Sequence, residues 1–327
     1  MSKKDTKKAQ QADKKNQKQT QYIADNKSID ITIKWSEVEP VYQKVIKKLA
    51  KNLKLKGFRK GKVPLKVAEE KLDPNKIYNY VLQELLPQHY KEAMEEAKAK
   101  PLTEPEFQPI SLNKDNDWII KAYYAETPEI ELKSYKKVVK KALKEADKNI
   151  KEVEKKQAEA RKKAEKEAKE EKNDKKKADK KPAGLTDTQK KDMKVQALFS
   201  ALIKELEPQV PELLLRQNTR REIQRLQQQL KQLNIKLEDY LKSRGMTEQQ
   251  LASQMAMTSL NQLQGEFLLN AIAEKEKLEV KDKEVDARID EIDNKEAQEK
   301  LRNDKYQQEY LRAVMLKQKT IEFLLEL

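Results

Sequence analysis

The first patterned stretch of the chain alternates apolar and polar positions. Apolar side chains occupy every second position at Ile29, Ile31, Ile33 and Trp35. This period of two predicts a half-buried β-strand. Ser36 and Glu39 then have the spacing of a capping box, and apolar residues follow at helical spacing as far as Leu53, so a helix is predicted directly after the strand.

The pattern then changes from helical back to strand-like. Two further helical stretches cover roughly residues 64–72 and 75–98, and two short apolar runs at 107–112 and 118–124 predict a β-hairpin. One early strand, several helices and a late hairpin predict an α+β domain over residues 22–126.

A charged segment follows this domain. Its first part keeps an amphipathic 4-3-4-3 spacing at Val139, Leu143, Ala146, Ile150 and Val153, which predicts a helix that packs on another element. Beyond Gln157 the segment is mostly Ala, Glu and Lys, and residues 172–183 resemble a linker. We therefore expect residues 127–192 to be a linker and charged helix.

The rest of the chain, residues 193–327, has a helical pattern throughout. Pro208 and Pro211 interrupt it, Gly245 is expected to end a helix, and Thr247 with Gln250 is expected to cap the next one. The overall prediction is an α+β N-terminal domain followed by an extended all-α domain with long helical arms. The fold is therefore expected to be mostly helical.

Net charge changes this picture less than its size suggests. The chain has 71 Lys and Arg residues against 56 Asp and Glu, a formal charge of +15. Residues 1–22 contribute +5 and residues 133–194 contribute +11, whereas 23–132 and 195–327 carry +1 and −2. The surplus lies in low-complexity sequence, so it is weak evidence for a basic binding face. Residues 1–21 are expected to be a disordered basic tail.

Composition excludes several kinds of chemistry. With no cysteine and a single histidine, His89, the chain lacks the residues of common metal sites and catalytic triads. Its five glycines form neither of the glycine-rich phosphate-binding motifs. We expect no catalytic residue, no metal and no cofactor. Neither a secretory signal nor a membrane-spanning run is present in the sequence, so we expect a cytoplasmic protein without a membrane partner.

One loop has an unusual residue content. Gly57 and Gly61 allow a left-handed backbone on either side of Phe58, Arg59 and Lys60, and Lys56 and Lys62 flank the two glycines. Phenylalanine is costly to expose, so its place among cations favours a partner with an apolar crevice beside phosphates or carboxylates. The alternative is a basic turn whose Phe58 folds back onto its own domain, and residue chemistry leaves both open.

The run GFRKGKVP at residues 57–64, after a strand and a long helix, resembles the ribosome-docking signature of the bacterial trigger factor family. The element order of residues 22–126 is similar to that family's N-terminal domain. Residues 198–230, which contain Val210-Pro211-Glu212, are similar to the start of its helical substrate-binding domain.

The resemblance implies a chaperone that docks at the ribosomal exit tunnel and assists folding and export. Its implied partners are the large ribosomal subunit, through an exit-tunnel protein and neighbouring rRNA, and unfolded nascent polypeptides, with weak self-association as a further expectation. By position, the ribosome contacts would be made by Gly57, Phe58, Arg59, Lys60, Gly61 and Lys62.

The chain departs from the family in one respect. Most members insert an FKBP-like prolyl isomerase domain, rich in glycine and aromatics, where this chain has the aromatic-free segment 136–194. We therefore expect no isomerase activity. Two alternatives stay open: a family member that retains peptidyl-prolyl isomerase activity, and a basic nucleic-acid-binding helical protein.

Client binding needs apolar surface that tolerates many sequences, for which flexible Met and Leu side chains are suited. The candidates are Leu214, Leu215, Met255, Met257 and Met315. The alternative for each is that it packs between helices of its own chain.

Overall fold

The computed structural model describes residues 22–59, 61–170 and 184–327, with 161–170 described as backbone alone. Three predictions lie outside these residues: the disordered tail at 1–21, the linker at 172–183 and a contact by Lys60. The structure is 67% helical, and the predicted fold class is confirmed.

The α+β part contains a small antiparallel sheet and three helices. Its elements are β1 (Ile23–Ala24), β2 (Lys27–Ile33), α1 (Trp35–Ala50), α2 (Leu65–Lys71), α3 (Pro74–Glu96), β3 (Glu106–Ser111) and β4 (Trp118–Tyr124). The sheet has the order β2-β4-β3, and Ile31 lies opposite Ile120. The predicted strand and hairpin are therefore present, except that Trp35 begins α1 instead of ending the strand.

The remaining elements are helical apart from one very short strand. They are α4 (Tyr135–Glu170), α5 (Asp187–Leu206), β5 (Val210–Pro211), α6 (Glu212–Gln232), α7 (Leu237–Arg244), α8 (Glu248–Lys275), α9 (Asp282–Asp290), α10 (Lys295–Asn303) and α11 (Lys305–Leu325). Gly245 ends α7 in the left-handed conformation, as predicted. The capping box before α8 is also confirmed, since Thr247 and Gln250 exchange hydrogen bonds of 2.9 and 3.2 Å.

The described residues form two compact units. The sheet unit comprises residues 23–127 and 211–252, and the helical unit comprises Tyr22, the described part of 128–210, and 253–327. The predicted domain bounds stay a prediction, because the compactness of a unit does not show that it folds independently.

The core of the sheet unit lies between the sheet and the helices α1 and α3. Trp118 of β4 is completely buried there, and the ring of Tyr78 meets it edge-on with centroids 5.3 Å apart. The other fully or nearly fully buried members are Ile31, Ile33, Val38, Tyr42, Val45, Ile46, Ile77, Val81, Leu86, Ile120 and Ala122. The period-two and helical patterns of the sequence point their apolar positions into this one core.

The predicted capping box at the start of α1 is wrong. The helix begins at Trp35, and Lys34 at its N-cap makes no side-chain cap. Instead the Trp35 backbone N–H donates to the carboxylate of Asp117 over 2.8 Å, from the turn before β4. A remote carboxylate therefore satisfies one of the unpaired amides of the first helical turn and places negative charge at the helix N-terminus.

The helical unit buries the amphipathic first part of α4, as its spacing predicted. Val139 and Ile150 are buried, and Val139 packs in a core formed with Leu132, Tyr135, Leu198, Leu202, Leu268, Leu269, Ile272 and Leu324. Helices α4 and α5 run antiparallel, as shown by their ion pairs of 2.8 Å: Lys194 with Asp147, and Lys190 with Glu154. Helix α5 begins at Asp187, behind a capping box of Thr186 and Gln189, and so starts before Met193.

Candidate functional site

The loop between α1 and α2 has the backbone that its glycines predicted. Gly57 has φ of +89° and Gly61 has φ of +79°, in the region where L side chains are strained. A Cβ on Gly57 would meet nothing within 4 Å, and one on Gly61 would meet the Lys51 carbonyl oxygen at 3.7 Å. Both glycines are therefore needed for backbone conformation and not for space.

Two tight turns shape the tip of this loop. The Phe58 N–H donates to the Leu55 carbonyl over 3.2 Å, and the Lys62 N–H donates to the Arg59 carbonyl over 3.0 Å. Each turn contains or borders one of the left-handed glycines, so the chain reverses within a few residues.

An apolar cluster holds the base of the loop. Its buried members are Ala50 at the end of α1, Val63 on the return of the loop and Ala68 on α2, with Leu53, Leu55, Val67 and Leu72 packed against them. The two ends of the loop are thus fixed to α1 and α2 while the tip between them is free of this cluster.

Helix α2 is in turn fixed by one carboxylate. Glu69 accepts a hydrogen bond of 3.1 Å from the Tyr42 hydroxyl on α1 and one of 2.6 Å from Lys114 before β4. Burial, followed by the hydrogen bond to Glu69, raises the pKa of Tyr42, and the same carboxylate raises the pKa of Lys114. Glu69 therefore ties the return of the loop to two other elements of the sheet unit.

The loop tip presents Phe58 together with cations. The Phe58 side chain is 42% exposed and does not join the cluster at the base of the loop, so it does not fold back there. Lys56, Arg59 and Lys62 are exposed, and none of them forms an ion pair with a carboxylate of the described residues. An apolar ring beside unneutralised cations can fill a crevice while the cations bind phosphates or carboxylates.

The predicted client-binding residues are placed differently from one another. Leu214 and Leu215, at the start of α6 in the sheet unit, are only 8% and 9% exposed. Met255 and Met257 are half-buried on α8, and Met315 is half-buried against Val280, Val285 and Ile289. The structure does not bring the five residues together in one cluster.

A tyrosine stripe on α11 was not among the predicted residues. Tyr306 is 83% exposed and Tyr310 is 69% exposed, and both lie on one face of the helix because they are four residues apart. Val314 continues this face with partial exposure. The charged residues Arg302, Asp304 and Lys305 just before Tyr306 were the available sign in the sequence that this face is exposed.

Glu212, which ends the Val210-Pro211-Glu212 run, and the first turn of α6 are held by hydrogen bonds within the sheet unit. Asn26 accepts the N–H of Leu213 over 2.7 Å, which caps α6, and donates to Glu212 over 3.0 Å. Arg216, one helical turn after Glu212, donates two hydrogen bonds of 2.6 and 2.7 Å to the carboxylate of Glu106 on β3. Arg216 also donates to Glu212 over 2.8 Å. Hydrogen bonds from Arg216 are the main reason that the pKa values of Glu106 and Glu212 lie below their usual range.

The described part of the chain gives no sign of a metal centre or a membrane span. Among those residues, no three His, Cys, Asp or Glu side chains are grouped so that they could hold a metal ion. His89 lies between Glu37 and Glu92, with nitrogen–oxygen distances of 3.3 and 3.8 Å, and links α3 to α1. No helix there is both long and apolar enough to cross a membrane.

Comparison with known families gives two matches along this chain. Residues 14–161 match the model described as "Bacterial trigger factor protein (TF)", and residues 174–326 match "Bacterial trigger factor protein (TF) C-terminus". The two matches together leave out the first 13 residues, residues 162–173 and the last residue.

Sequence relatives agree over part of the chain. The trigger factor of Streptococcus pneumoniae (strain JJA) is 32% identical over 124 residues, which is 36% of this chain and 29% of the relative. The trigger factor of Streptococcus sanguinis (strain SK36) is 31% identical over 108 residues, 33% of this chain and 25% of the relative. The aligned part thus spans less than a third of the length of these relatives.

A solved structure agrees over nearly the whole chain. It is described as "Promiscuous Substrate Recognition in Folding and Assembly Activities of the Trigger Factor Chaperone". The similarity has a TM-score of 0.52 at 14% identity and covers 92% of this chain and 97% of the other, so it concerns the fold. With both family matches in chain order and this fold, the chain belongs to the bacterial trigger factor family.

Proposed function

We propose that this chain is a molecular chaperone that docks on the large ribosomal subunit in the cytoplasm and holds nascent polypeptides. The docking element is the loop formed by Gly57, Phe58, Arg59, Lys60, Gly61 and Lys62. The observation that carries the proposal is the exposed Phe58 ring, held between two left-handed glycines and beside cations without an ion-pair partner among the described residues. Family membership supports the same function.

The geometry suits rigid-body docking of a small tip. The base of the loop is packed and hydrogen-bonded through Val63 and Glu69, so little ordering entropy is lost when the tip binds. Phe58 then supplies the apolar anchor, and Arg59 with its neighbours supplies charge complementarity at an exit-tunnel protein and nearby rRNA.

Clients would be held through exposed or half-exposed apolar side chains. Tyr306 and Tyr310 offer the most exposed aromatic surface of the helical unit's described residues. Met255, Met257 and Met315 are proposed to contribute flexible partial contacts. Leu214 and Leu215 stay candidates, although their burial leaves little surface for a client.

We further propose that the chain is not a prolyl isomerase. The two family matches are to the N-terminal and C-terminal parts of the family, and residues 162–173 are all that separates them. A domain with a proline-binding pocket does not fit in so short an interval. A protease-coupled assay with a proline peptide should show no turnover above the uncatalysed rate, and clear turnover would overturn this proposal.

Co-sedimentation with ribosomes tests the docking proposal. The loop variant combines Phe58→Ala, Arg59→Ala and Lys60→Ala, and a charge-matched control combines Lys140→Ala and Lys144→Ala on α4. We expect the loop variant to lose at least about tenfold in ribosome affinity, because an apolar anchor and two cations are removed. The control should sediment like the unaltered chain.

Suppression of client aggregation, measured without ribosomes, separates docking from holding. The loop variant should keep this activity. Unchanged sedimentation of the loop variant would contradict the docking assignment. Complete loss of ribosome affinity on deletion of residues 1–22, with the loop intact, would instead favour the basic nucleic-acid-binding alternative.

A further inference from the structure

Charge is strongly segregated along residues 23–132, most of which belong to the sheet unit. Residues 23–132 carry a net charge of only +1, yet the stretch from Val41 to Ala68 contains ten Lys and Arg residues and no Asp or Glu. This stretch covers the second half of α1 and the whole candidate docking loop. A nearly neutral sum therefore hides a concentrated positive region.

The lysines of α1 lie on one face of the helix. Lys44, Lys47 and Lys48 on α1, with Lys51 at its C-cap, follow the i, i+3, i+4, i+7 spacing that places side chains in one stripe. All four are exposed, while Val45 and Ile46 on the other side are buried. Of the four, Lys44 is paired, with Glu84 at 2.6 Å, and the others have no ion pair with a described carboxylate.

We call Lys47, Lys48 and Lys51 the lysine face. Lys47 and Lys51, four residues apart, repel by about 0.2–0.5 kcal/mol, so the arrangement costs helix stability. Two of these lysines lie in the last turn of α1, where the helix macrodipole favours cations. That effect fades within one turn and does not account for the cations that continue into the loop.

An exposed aromatic ring borders the lysine face. Tyr80 on α3 is 38% exposed, and the Lys48 ammonium lies 5.5 Å from its ring centroid. A shallow cleft of about 310 Å³ is lined by Lys44, Val45, Lys48, Tyr80, Gln83 and Glu84, and the one acid among them is the partner of Lys44. At its other end the lysine face meets the docking loop, because the Lys51 carbonyl lies 3.7 Å from the Cβ position of Gly61.

We propose that the lysine face and Tyr80 form a second binding surface, separable from the docking loop, for the phosphate backbone of RNA. Lysine is depleted at protein–protein interfaces, whereas a row of ammonium groups is suited to a line of phosphates. Tyr80 at the edge supplies a ring on which an unpaired base stacks. That this RNA is the ribosomal RNA beside the docking point rests on the proposed function.

The test compares three full-length variants. The first removes the charge of the face through Lys47→Gln, Lys48→Gln and Lys51→Gln. The second keeps the charge through Lys→Arg at the same positions. The third is a matched control with Lys137→Gln, Lys141→Gln and Lys144→Gln, three exposed lysines of α4.

The probes are polyuridine and protein-free large-subunit rRNA, and affinity is measured over a series of salt concentrations. Three lost phosphate contacts should lower the slope of log affinity against log salt by about 2, and weaken binding at physiological salt at least about tenfold. The Lys→Arg variant and the α4 control should bind like the unaltered chain. Thermal unfolding by circular dichroism should show that all three variants are folded.

Several results would overturn the proposal. One is an unchanged RNA affinity and salt slope in the Lys→Gln variant, and another is an equal loss in the α4 control. If the Lys→Gln variant binds RNA normally but sediments poorly with ribosomes, the face binds a ribosomal protein and the RNA assignment is wrong. Failure of the docking proposal would be seen separately, as normal sedimentation of the Phe58, Arg59 and Lys60 variant.

Discussion

The carbonyl oxygen of Lys51 lies 3.7 Å from the position that a Cβ atom would take on Gly61. The return of the docking loop therefore runs directly beside the end of α1. This proximity places the loop, with its exposed Phe58, next to the lysine face. The loop is thus a defined extension of the sheet unit, which presents an aromatic tip from a packed base.

Alanine at Gly57 and Gly61 should weaken ribosome binding through the backbone alone. Both positions have φ near +80 to +90°, where a side chain costs about 1–2 kcal/mol. Neither Cβ would clash closely, so the cost comes from the positive φ alone. We expect the loop to relieve this strain by moving away from its native shape. Ribosome affinity should fall about tenfold in co-sedimentation, since 1.4 kcal/mol is a factor of ten.

Gly184→Ala provides the control for this pair. A Cβ at Gly184 would meet nothing within 4 Å, and its φ is not in the left-handed region. Its ribosome affinity should equal that of the unaltered chain. If the Gly57→Ala, Gly61→Ala and Gly184→Ala variants all bind ribosomes as tightly as the unaltered chain, the loop conformation has no part in binding.

Removal of the Glu69 carboxylate should destabilise the sheet unit. Glu69→Ala leaves the partly buried Tyr42 hydroxyl and the Lys114 ammonium without their shared acceptor. A hydrogen bond to a charged group is worth about 1.5–3 kcal/mol, so the free energy of unfolding should fall by about that much. Urea unfolding followed by tryptophan fluorescence reports this unit, because both tryptophans of the chain, Trp35 and Trp118, lie in it.

The neighbouring variant Glu70→Ala is the matched control for Glu69. Glu70 is exposed on the same helix, and a surface substitution of this kind usually changes stability by less than about 0.5 kcal/mol. If the two variants lose the same stability, Glu69 is not the anchor of α2.

The hydrogen bonds from Arg216 to Glu106 and Glu212 predict a pH-dependent contribution to stability. Hydrogen bonds from Arg216 lower the folded-state pKa values of Glu106 and Glu212 below the ordinary value of 4.5. Such a contribution is fully present above the ordinary value and is lost as pH falls through the lowered folded-state values. The stability difference between the unaltered chain and Arg216→Ala should therefore be largest near neutral pH and shrink in acid.

Urea midpoints measured by tryptophan fluorescence at several pH values test the Arg216 prediction. Arg225→Ala is the control, since Arg225 pairs over 3.4 Å with Glu222 on its own helix. Such an i,i+3 surface pair contributes about 0.2–0.5 kcal/mol. A difference for Arg216→Ala that stays constant, or grows in acid, would contradict the assigned role of this arginine.

The tyrosine stripe on α11 should affect clients and leave stability unchanged. Combined Tyr306→Ala and Tyr310→Ala removes two exposed rings, so the thermal midpoint should stay the same while the apolar surface offered to a client shrinks. We expect about tenfold more chaperone to be needed to suppress aggregation of a refolding client. Tyr80→Ala, an exposed tyrosine of the sheet unit, should leave this activity unchanged. Full activity of the double variant would exclude the stripe as client surface.

Local sequence patterns predicted the elements of this fold well. The period-two run at Ile29–Ile33 is β2, and the cap at Thr247 and the stop at Gly245 are where residue chemistry placed them. These features depend on neighbours within a few residues. Gly57 and Gly61 belong to the same class, because positive φ is a property of the glycine itself.

Features made by residues far apart in sequence could not be predicted in this way. Asp117 caps α1 from 82 residues away, and Asn26 caps α6 from 187 residues away. The exposure of Phe58 and Tyr306 likewise depends on which surfaces other elements cover. Charge sums over long segments also concealed the lysine face, since acids elsewhere in residues 23–132 offset it.

Site-specific crosslinking is the most direct test of docking through the loop. Because the chain has no cysteine, Lys62→Cys introduces a single thiol beside an intact Phe58 and Arg59, and a benzophenone attached to it reports the nearest neighbour on the ribosome. Lys137→Cys on α4, labelled in the same way, is the control. We predict that the Lys62 probe crosslinks to a protein of the large subunit at the exit tunnel, with a yield well above the control. Equal yields from the two probes, or crosslinks to the small subunit alone, would contradict docking through this loop.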